Sequence, residues 1–190
     1  VGTAQKYECY KYMGSKSSAD GYTWYSINYG WDGTARYAAG SFFNNEAVSR
    51  CNQIDCGTDN TKISHSSALS LLTAQSISVV SSGGCSDRNV PTCTSLDQVR
   101  CQNIRDIIWL RRMTACTIVV TGGTETGHAS GTYSHWNGYK LDISMSNSCI
   151  NNVIRGWGQA GSTPYPTYYD LKRNRYYDEN NHWDITYMRH

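Results

Sequence analysis

Eight cysteines, Cys9, Cys51, Cys56, Cys85, Cys93, Cys101, Cys116 and Cys149, are spread over most of this 190-residue chain. An even set at such spacings reads as a disulfide framework formed in an oxidising compartment. No Cys-x-x-Cys occurs, which disfavours a cysteine zinc cluster or a thioredoxin-like redox motif. Four structural disulfides are therefore expected, with Cys51–Cys56 and Cys85–Cys93 as candidates for small closed loops, although spacing leaves the pairing open. The chain opens on Val1 without a charged-then-apolar leader, as a mature secreted product would. It has no apolar run long enough for a membrane-spanning helix.

Composition matters chiefly for what it excludes. A net charge of +2 argues against a nucleic-acid surface, and so does the single short basic cluster, Lys172-Arg173-Asn174-Arg175, which reads as a solvated turn. Two Phe stand against 15 Tyr and 6 Trp, a mixture suited to aromatic platforms for polar ligands rather than to a large aliphatic core. Tyr7, Tyr10, Tyr12, Tyr22, Trp24, Tyr25, Tyr29, Trp31 and Tyr37 interleave with Gly, Ser and Asn, which predicts short strands and turns. Residues 1–60 are expected to form a small binding module or an N-terminal extension, and residues 61–190 the core that carries the chemistry.

Within that core, Ala68, Leu71, Leu72 and Gln75 fit a short helix over 66–75, and Ile77-Ser78-Val79-Val80 reads as strand. Ser95 with Gln98 predicts a capping box for a longer helix to Met113. Thr117-Ile118-Val119-Val120 reads as a central strand, Gly122 to His135 as a loop over the site, and Val153-Ile154 as part of a brief helix before a Gly/Pro loop over 156–166. The order is that of an α+β fold.

Two motifs carry the chemistry: Ser134-His135-Trp136-Asn137-Gly138-Tyr139-Lys140-Leu141-Asp142, and Glu179-Asn180-Asn181-His182-Trp183-Asp184. His135, Asp142 and His182 can fill three corners of a tetrahedron around one Zn²⁺ and leave the fourth for water. Glu179, three residues before His182, is placed to move protons as a general base. Alternation sends Trp183, Ile185 and Tyr187 to one face of a strand and His182, Asp184 and Thr186 to the other. The Gly-x-Ser-x-Gly elbow and the P-loop are both missing from the chain.

The pattern S-x-H-x-x-G-x-x-x-D followed by E-x-x-H and an aromatic resembles the M15 zinc peptidases of the lysostaphin, D-alanyl-D-alanine peptidase and hedgehog superfamily, over about residues 61–190. The resemblance implies a hedgehog/D-Ala-D-Ala-peptidase-like core whose small antiparallel sheet carries the zinc site. It implies one zinc on His135, Asp142 and His182, Glu179 as catalytic base, and bacterial cell-wall peptide as substrate. Residues 1–60 would then suit wall binding. Lys140 stands where that family commonly has Ala, and Gly122-Gly123-Thr124-Glu125-Thr126 where it often carries an Arg.

The reading is a secreted, monomeric zinc metallopeptidase that hydrolyses peptidoglycan, with no nucleic-acid or membrane partner. Endopeptidase action is preferred to D,D-carboxypeptidase action, because no Arg is obviously placed to clamp a terminal carboxylate. The alternative is a non-catalytic secreted protein that contains zinc or binds walls or glycans. His128 on the loop is a candidate for substrate contact or oxyanion stabilisation, against the blander description of a loop histidine. Asp184 is a candidate to orient an imidazole, Ser134 to contact substrate, and Asp178 an alternative base. His65 and His190 read as incidental.

Overall fold

The apolar alternations of the two motifs become the centre of a six-stranded sheet. A computed structural model describes residues 11–17, 23–28, 35–39 and 54–187, and the chain divides into two compact units, one up to Asp55 and one from Cys56 onward. In the first unit, β1 (Lys11–Ser17), β2 (Thr23–Asn28) and β3 (Ala35–Ala39) form an antiparallel meander in the order β1-β2-β3, with a register shift between Tyr12 and Gly14. Strands expected from the Tyr/Trp-rich stretch are thus present. Cys9, Cys51 and His190 lie outside the described residues.

The second unit starts with β4 (Lys62–Ile63), α1 (His65–Thr73), β5 (Ser78–Val79), β6 (Val99–Arg100), α2 (Cys101–Thr114) and β7 (Val119–Gly122). It continues with β8 (Lys140–Ser144), α3 (Ser148–Gly156), β9 (Thr167–Tyr169), β10 (Arg175–Asp178) and β11 (His182–Thr186). β4 pairs with β6, and the main sheet runs β5-β7-β8-β11-β10-β9, antiparallel except for the β5/β7 pair. The architecture is α+β, as expected, α3 contains the expected brief helix at Val153-Ile154, and the sheet is larger than foreseen.

Leu141, Ile143, Trp183 and Ile185 are buried on one face of β8 and β11. Asp142 and Asp184 pair across the same two strands on the opposite face and are buried as well. The strands are therefore covered on both sides, which raises the stakes of every polar group between them.

The long helix starts five residues later than the Ser95–Gln98 capping box predicts. Gln98 adopts φ +64°, the Ser95 N–H is held by Glu125 Oε2 at 2.7 Å, and the Ser95 carbonyl accepts from Thr124 N at 2.7 Å. Tertiary partners have taken the groups a cap would use. Helix α2 instead follows Arg100, which makes no side-chain cap, and ends on Ala115 in the left-handed region with Arg111 and Arg112 in its last turn. Helix α1 is capped by Ser64, and α3 by Asn147 Oδ1, which accepts from Cys149 N at 2.8 Å. His65 is structural rather than incidental, since its Nδ1 accepts the Leu96 N–H at 3.0 Å.

Three disulfides join the described residues: Cys56–Cys101, Cys85–Cys93 and Cys116–Cys149. The small Cys85–Cys93 loop was foreseen. A Cys51–Cys56 loop is excluded, because the β4/β6 pairing and the Cys101 N–H bond to the Thr61 carbonyl bring Cys56 to the start of α2. In the chain-entropy account, Cys116–Cys149, with a sequence separation of 33, contributes about 4 kcal/mol, and Cys85–Cys93, with a separation of 8, about 2.5 kcal/mol. Denaturant unfolding of the two double-serine variants should show the larger loss for Cys116→Ser/Cys149→Ser, and the reverse order would contradict a loop-entropy origin.

The Lys172–Arg175 turn between β9 and β10 is not simply solvated, as the sequence suggests. Lys172 Nζ lies 2.6 Å from Asp106 Oδ1 on α2, and buried Asn174 donates to both Asp106 and Asp170. Burial pushes the Asp170 carboxyl up to about 6, assisted by the charge of Asp106 and opposed by hydrogen bonds from Asn174 and Tyr176. Because the folded value is raised, stability tied to the protonated form is complete below the unfolded value of 3.8 and is lost as pH rises through about 6. The unfolding free energy of the wild type relative to Asp170→Asn should therefore fall by on the order of 2–3 kcal/mol between pH 4 and pH 7. A flat difference across that window would remove Asp170 from the pH response.

Candidate functional site

Strand β8 carries Asp142 at the point where β7 bulges. The register shifts between Val120 and Gly122, and Gly122 comes opposite Asp142. A Cβ at Gly122 would collide with Asp142 Oδ2, and one at Gly123 with the Ser95 carbonyl. The two glycines let the backbone close over the carboxylate.

From Gly123 the chain loops out and returns through a turn at Ser134–Asn137. Ser134 Oγ accepts from Asn137 N at 3.2 Å, and the His135 carbonyl accepts from Gly138 N at 2.8 Å. Ser134 is buried and shapes the turn that delivers His135. The second motif occupies a tight hairpin in which Asn180, at φ +70°, takes the left-handed position, and the Glu179 N–H bonds the His182 carbonyl at 3.2 Å.

His135 is buried, with Nδ1 2.5 Å from the Gly123 carbonyl. Nδ1 carries the proton in that contact, so Nε2 faces the site. His182 is arranged alike: its Nδ1 lies 2.6 Å from Asn181 Oδ1. Nε2 of His135 is 3.3 Å, and Nε2 of His182 is 3.7 Å, from the same atom, Asp142 Oδ1. That oxygen is buried and has no hydrogen-bond partner of acceptable geometry. Glu179 Oε2 lies 3.4 Å from His182 Nε2.

His128 stacks on His135, with ring centroids 3.7 Å apart and planes at 15°. His128, His135 and Asp142 form a group whose ligand atoms all lie within 4.8 Å of one another and could hold a metal ion. His182 joins them through Asp142.

No family model, curated protein or solved structure matches this chain.

Burial would push the Asp142 carboxyl up, but the hydrogen-bonding approach and charge of His135, followed by the charges of His182 and His128, hold it below the usual range. Burial would lower the His135 imidazole, yet Asp142, Asp184 and the Gly123 carbonyl outweigh it and raise the value. Asp184 Oδ2 is 4.0 Å from His135 Nε2, but its close partner is Lys140 Nζ at 2.6 Å. Orientation of His135 comes from Gly123. Asp178 is engaged elsewhere, with Arg155 Nη2 at 2.9 Å and Asn180 N at 3.1 Å.

Sequence reasoning missed Glu125, the one acidic residue between Gly122 and Ser134. It is buried, bonded to Ser95 N and Gly123 N, and 3.1 Å from His128 Nε2. A lone carboxylate in a Gly/Thr/Ser loop was the available signal. Arg88 was missed too: its guanidinium covers Trp136 at 3.7 Å and donates to the carbonyls of Thr124 and Trp136.

A proton on His135 competes with a metal ion for the same Nε2. Affinity of the chelator-treated protein for Zn²⁺ should therefore decline as pH falls, starting above the ordinary histidine value of 6.5 because the His135 value is raised. Titration calorimetry in buffers of different ionisation enthalpy should also record proton release near neutrality. Binding that is independent of pH would place the ion away from His135.

Proposed function

We propose that this chain is a secreted zinc peptidase of the M15 type, with a hedgehog/D-Ala-D-Ala-peptidase-like core, that hydrolyses peptide bonds in bacterial peptidoglycan. The observation that carries the reading is the buried, unbonded Asp142 Oδ1, approached by His135 Nε2 at 3.3 Å and His182 Nε2 at 3.7 Å. With both Nδ1 protons directed away, neutral imidazoles would set lone pairs against a carboxylate oxygen. Such an arrangement calls for a cation between them.

Ligand distances of about 2.0–2.2 Å give a tetrahedron with edges of about 3.3–3.6 Å, and the two separations from Asp142 Oδ1, 3.3 Å to His135 and 3.7 Å to His182, are close to that. Stacking sends the in-plane lone pairs of His128 and His135 along nearly parallel lines, which do not meet at one ion. The compact group is His128, His135 and Asp142; on this argument, and on the resemblance to the M15 pattern, we assign the ion to His135, Asp142 and His182, with His128 flanking it.

Bound zinc would supply Lewis-acid activation of water and of the scissile carbonyl. Glu179 accepts a proton from the attacking water as the new carbon–oxygen bond forms, then delivers it to the amine nitrogen as the carbon–nitrogen bond breaks. Asp178, already bonded to Arg155 and Asn180, is a poor competitor for this role.

Residues Glu125–Gly131, Ser134, Trp136 and Asn137 line an adjoining cleft of about 290 Å³. Its lining includes neither Arg nor Lys, and Arg88, stacked on Trp136, already donates to the carbonyls of Thr124 and Trp136, which supports an endopeptidase. Three disulfides among the described residues fit secretion, and no helix among them is long and apolar enough to cross a membrane.

Glu179→Gln should keep zinc and fold while losing turnover by a factor of about 10²–10⁴, and Asp178→Asn should lose far less. The assay is release of free amino groups from purified bacterial walls at matched zinc content. Activity retained in Glu179→Gln and lost in Asp178→Asn would transfer the base to Asp178. Zinc-loaded wild type that releases nothing from any wall type would favour a non-catalytic binding protein.

A further inference from the structure

Glu125 is only 3% exposed, and its carboxylate oxygens accept the Ser95 N–H at 2.7 Å and the Gly123 N–H at 3.0 Å. His128 Nε2 lies 3.1 Å from Oε1. An ionised carboxylate can only accept. Burial opposes ionisation of the Glu125 carboxyl, but its hydrogen bonds, among them those from the unambiguous backbone donors Ser95 N–H and Gly123 N–H, hold it below its ordinary value. In its neutral form the His128 ring must therefore carry its proton on Nε2, leaving a lone pair on Nδ1.

That lone pair has no donor among the contacts of the described residues. Asp142 Oδ2, another acceptor, lies 3.9 Å from Nδ1. The ring is held firmly: it stacks on His135, the Thr126 N–H bonds the Arg88 carbonyl at 2.9 Å, and a Cβ at Gly127 would press on Pro91 at 2.9 Å. Arg88 and Pro91 belong to the loop closed by Cys85–Cys93. His128 also lines the 290 Å³ cleft. A fixed acceptor at the edge of a cleft, beside a candidate metal group, fits the N–H of an extended peptide.

We propose that Glu125 is a positioning residue that locks His128 in the Nε2-protonated tautomer, and that His128 Nδ1 binds a peptide N–H of the substrate. The inference rests on the peptidase reading for its substrate class. It assigns His128 to substrate rather than to metal.

Two measurements test it without turnover. Long-range proton–nitrogen NMR of the metal-free protein should place the His128 proton on Nε2, and Glu125→Gln, whose amide can donate to Nε2, should shift it to Nδ1. Calorimetry of soluble muropeptides with zinc-loaded Glu179→Gln protein gives a Kd that His128→Ala should weaken about tenfold at unchanged zinc affinity. His128→Asn, which puts an amide oxygen near the place of Nδ1, should recover more binding than His128→Gln, which reaches only the place of Nε2.

A wild-type proton on Nδ1, an unchanged Kd in His128→Ala, or no muropeptide binding by the parent would each overturn the proposal. Loss of zinc from His128→Ala would do so as well, by making the residue a ligand. If the wild-type enzyme hydrolyses no wall while the Kd still responds as described, the catalytic reading fails and this one stands.

Discussion

A buried carboxylate with one oxygen left unbonded sets the terms for the second unit. Asp142 sits at the junction of β7, β8 and β11, opposite Gly122 on one side and Asp184 on the other. Isolated in a protein interior such a charge is untenable. Three imidazoles gather around it, at 3.3 Å for His135, 3.7 Å for His182 and 3.9 Å for His128, two from the loop after β7 and one from the start of β11. The bulge at Gly122, the turn at Ser134 and the hairpin at Asn180 all serve that convergence. Lys140 Nζ pairs with Oδ2 of the neighbouring Asp184 at 2.6 Å, so the closest cation of each facing aspartate is a different side chain.

Glu125 plays a complementary part. It joins the segment before α2, through Ser95, to the end of β7, through Gly123, and to the loop histidine. The same contact that cancels the expected helix cap at Ser95 therefore builds the wall of the site. Local preference gave way here because a buried carboxylate needs several donors at once, and a backbone N–H released from helix capping is one of the few available.

What could be read in the amino-acid order was whatever depends on short-range pattern. Alternation in Trp183-Asp184-Ile185 pointed to that strand and to the face its aspartate occupies. The apolar positions of α1 and the small Cys85–Cys93 loop were visible for the same reason. What escaped were partners remote in sequence. Cys56 meets Cys101 through the β4/β6 pairing, Glu125 meets Ser95 across 30 residues, and Lys172 meets Asp106 across 66. Strands β9 and β10 are short, flank a charged turn and gain their definition from a buried network that no local periodicity announces.

Among the buried aspartates, comparison with Asp170 shows why Asp142 is the telling one. Asp170 is surrounded by neutral donors, the Lys172 and Asn174 N–H groups, the Asn174 amide and the Tyr176 hydroxyl. Asp106 is close enough to add repulsion, and burial pushes the Asp170 carboxyl up to about 6. Every oxygen of that group is nonetheless bonded, and the network clasps α2 to the β9/β10 turn. Asp142 is held down rather than up, by side chains that can be cationic, and keeps an oxygen with no bond at all. Burial is common to both; the sign of the shift and the open valence differ. A structural carboxylate has its bonds completed by the fold, whereas Asp142 has been given the electrostatics of an anion and an atom still free to take a ligand.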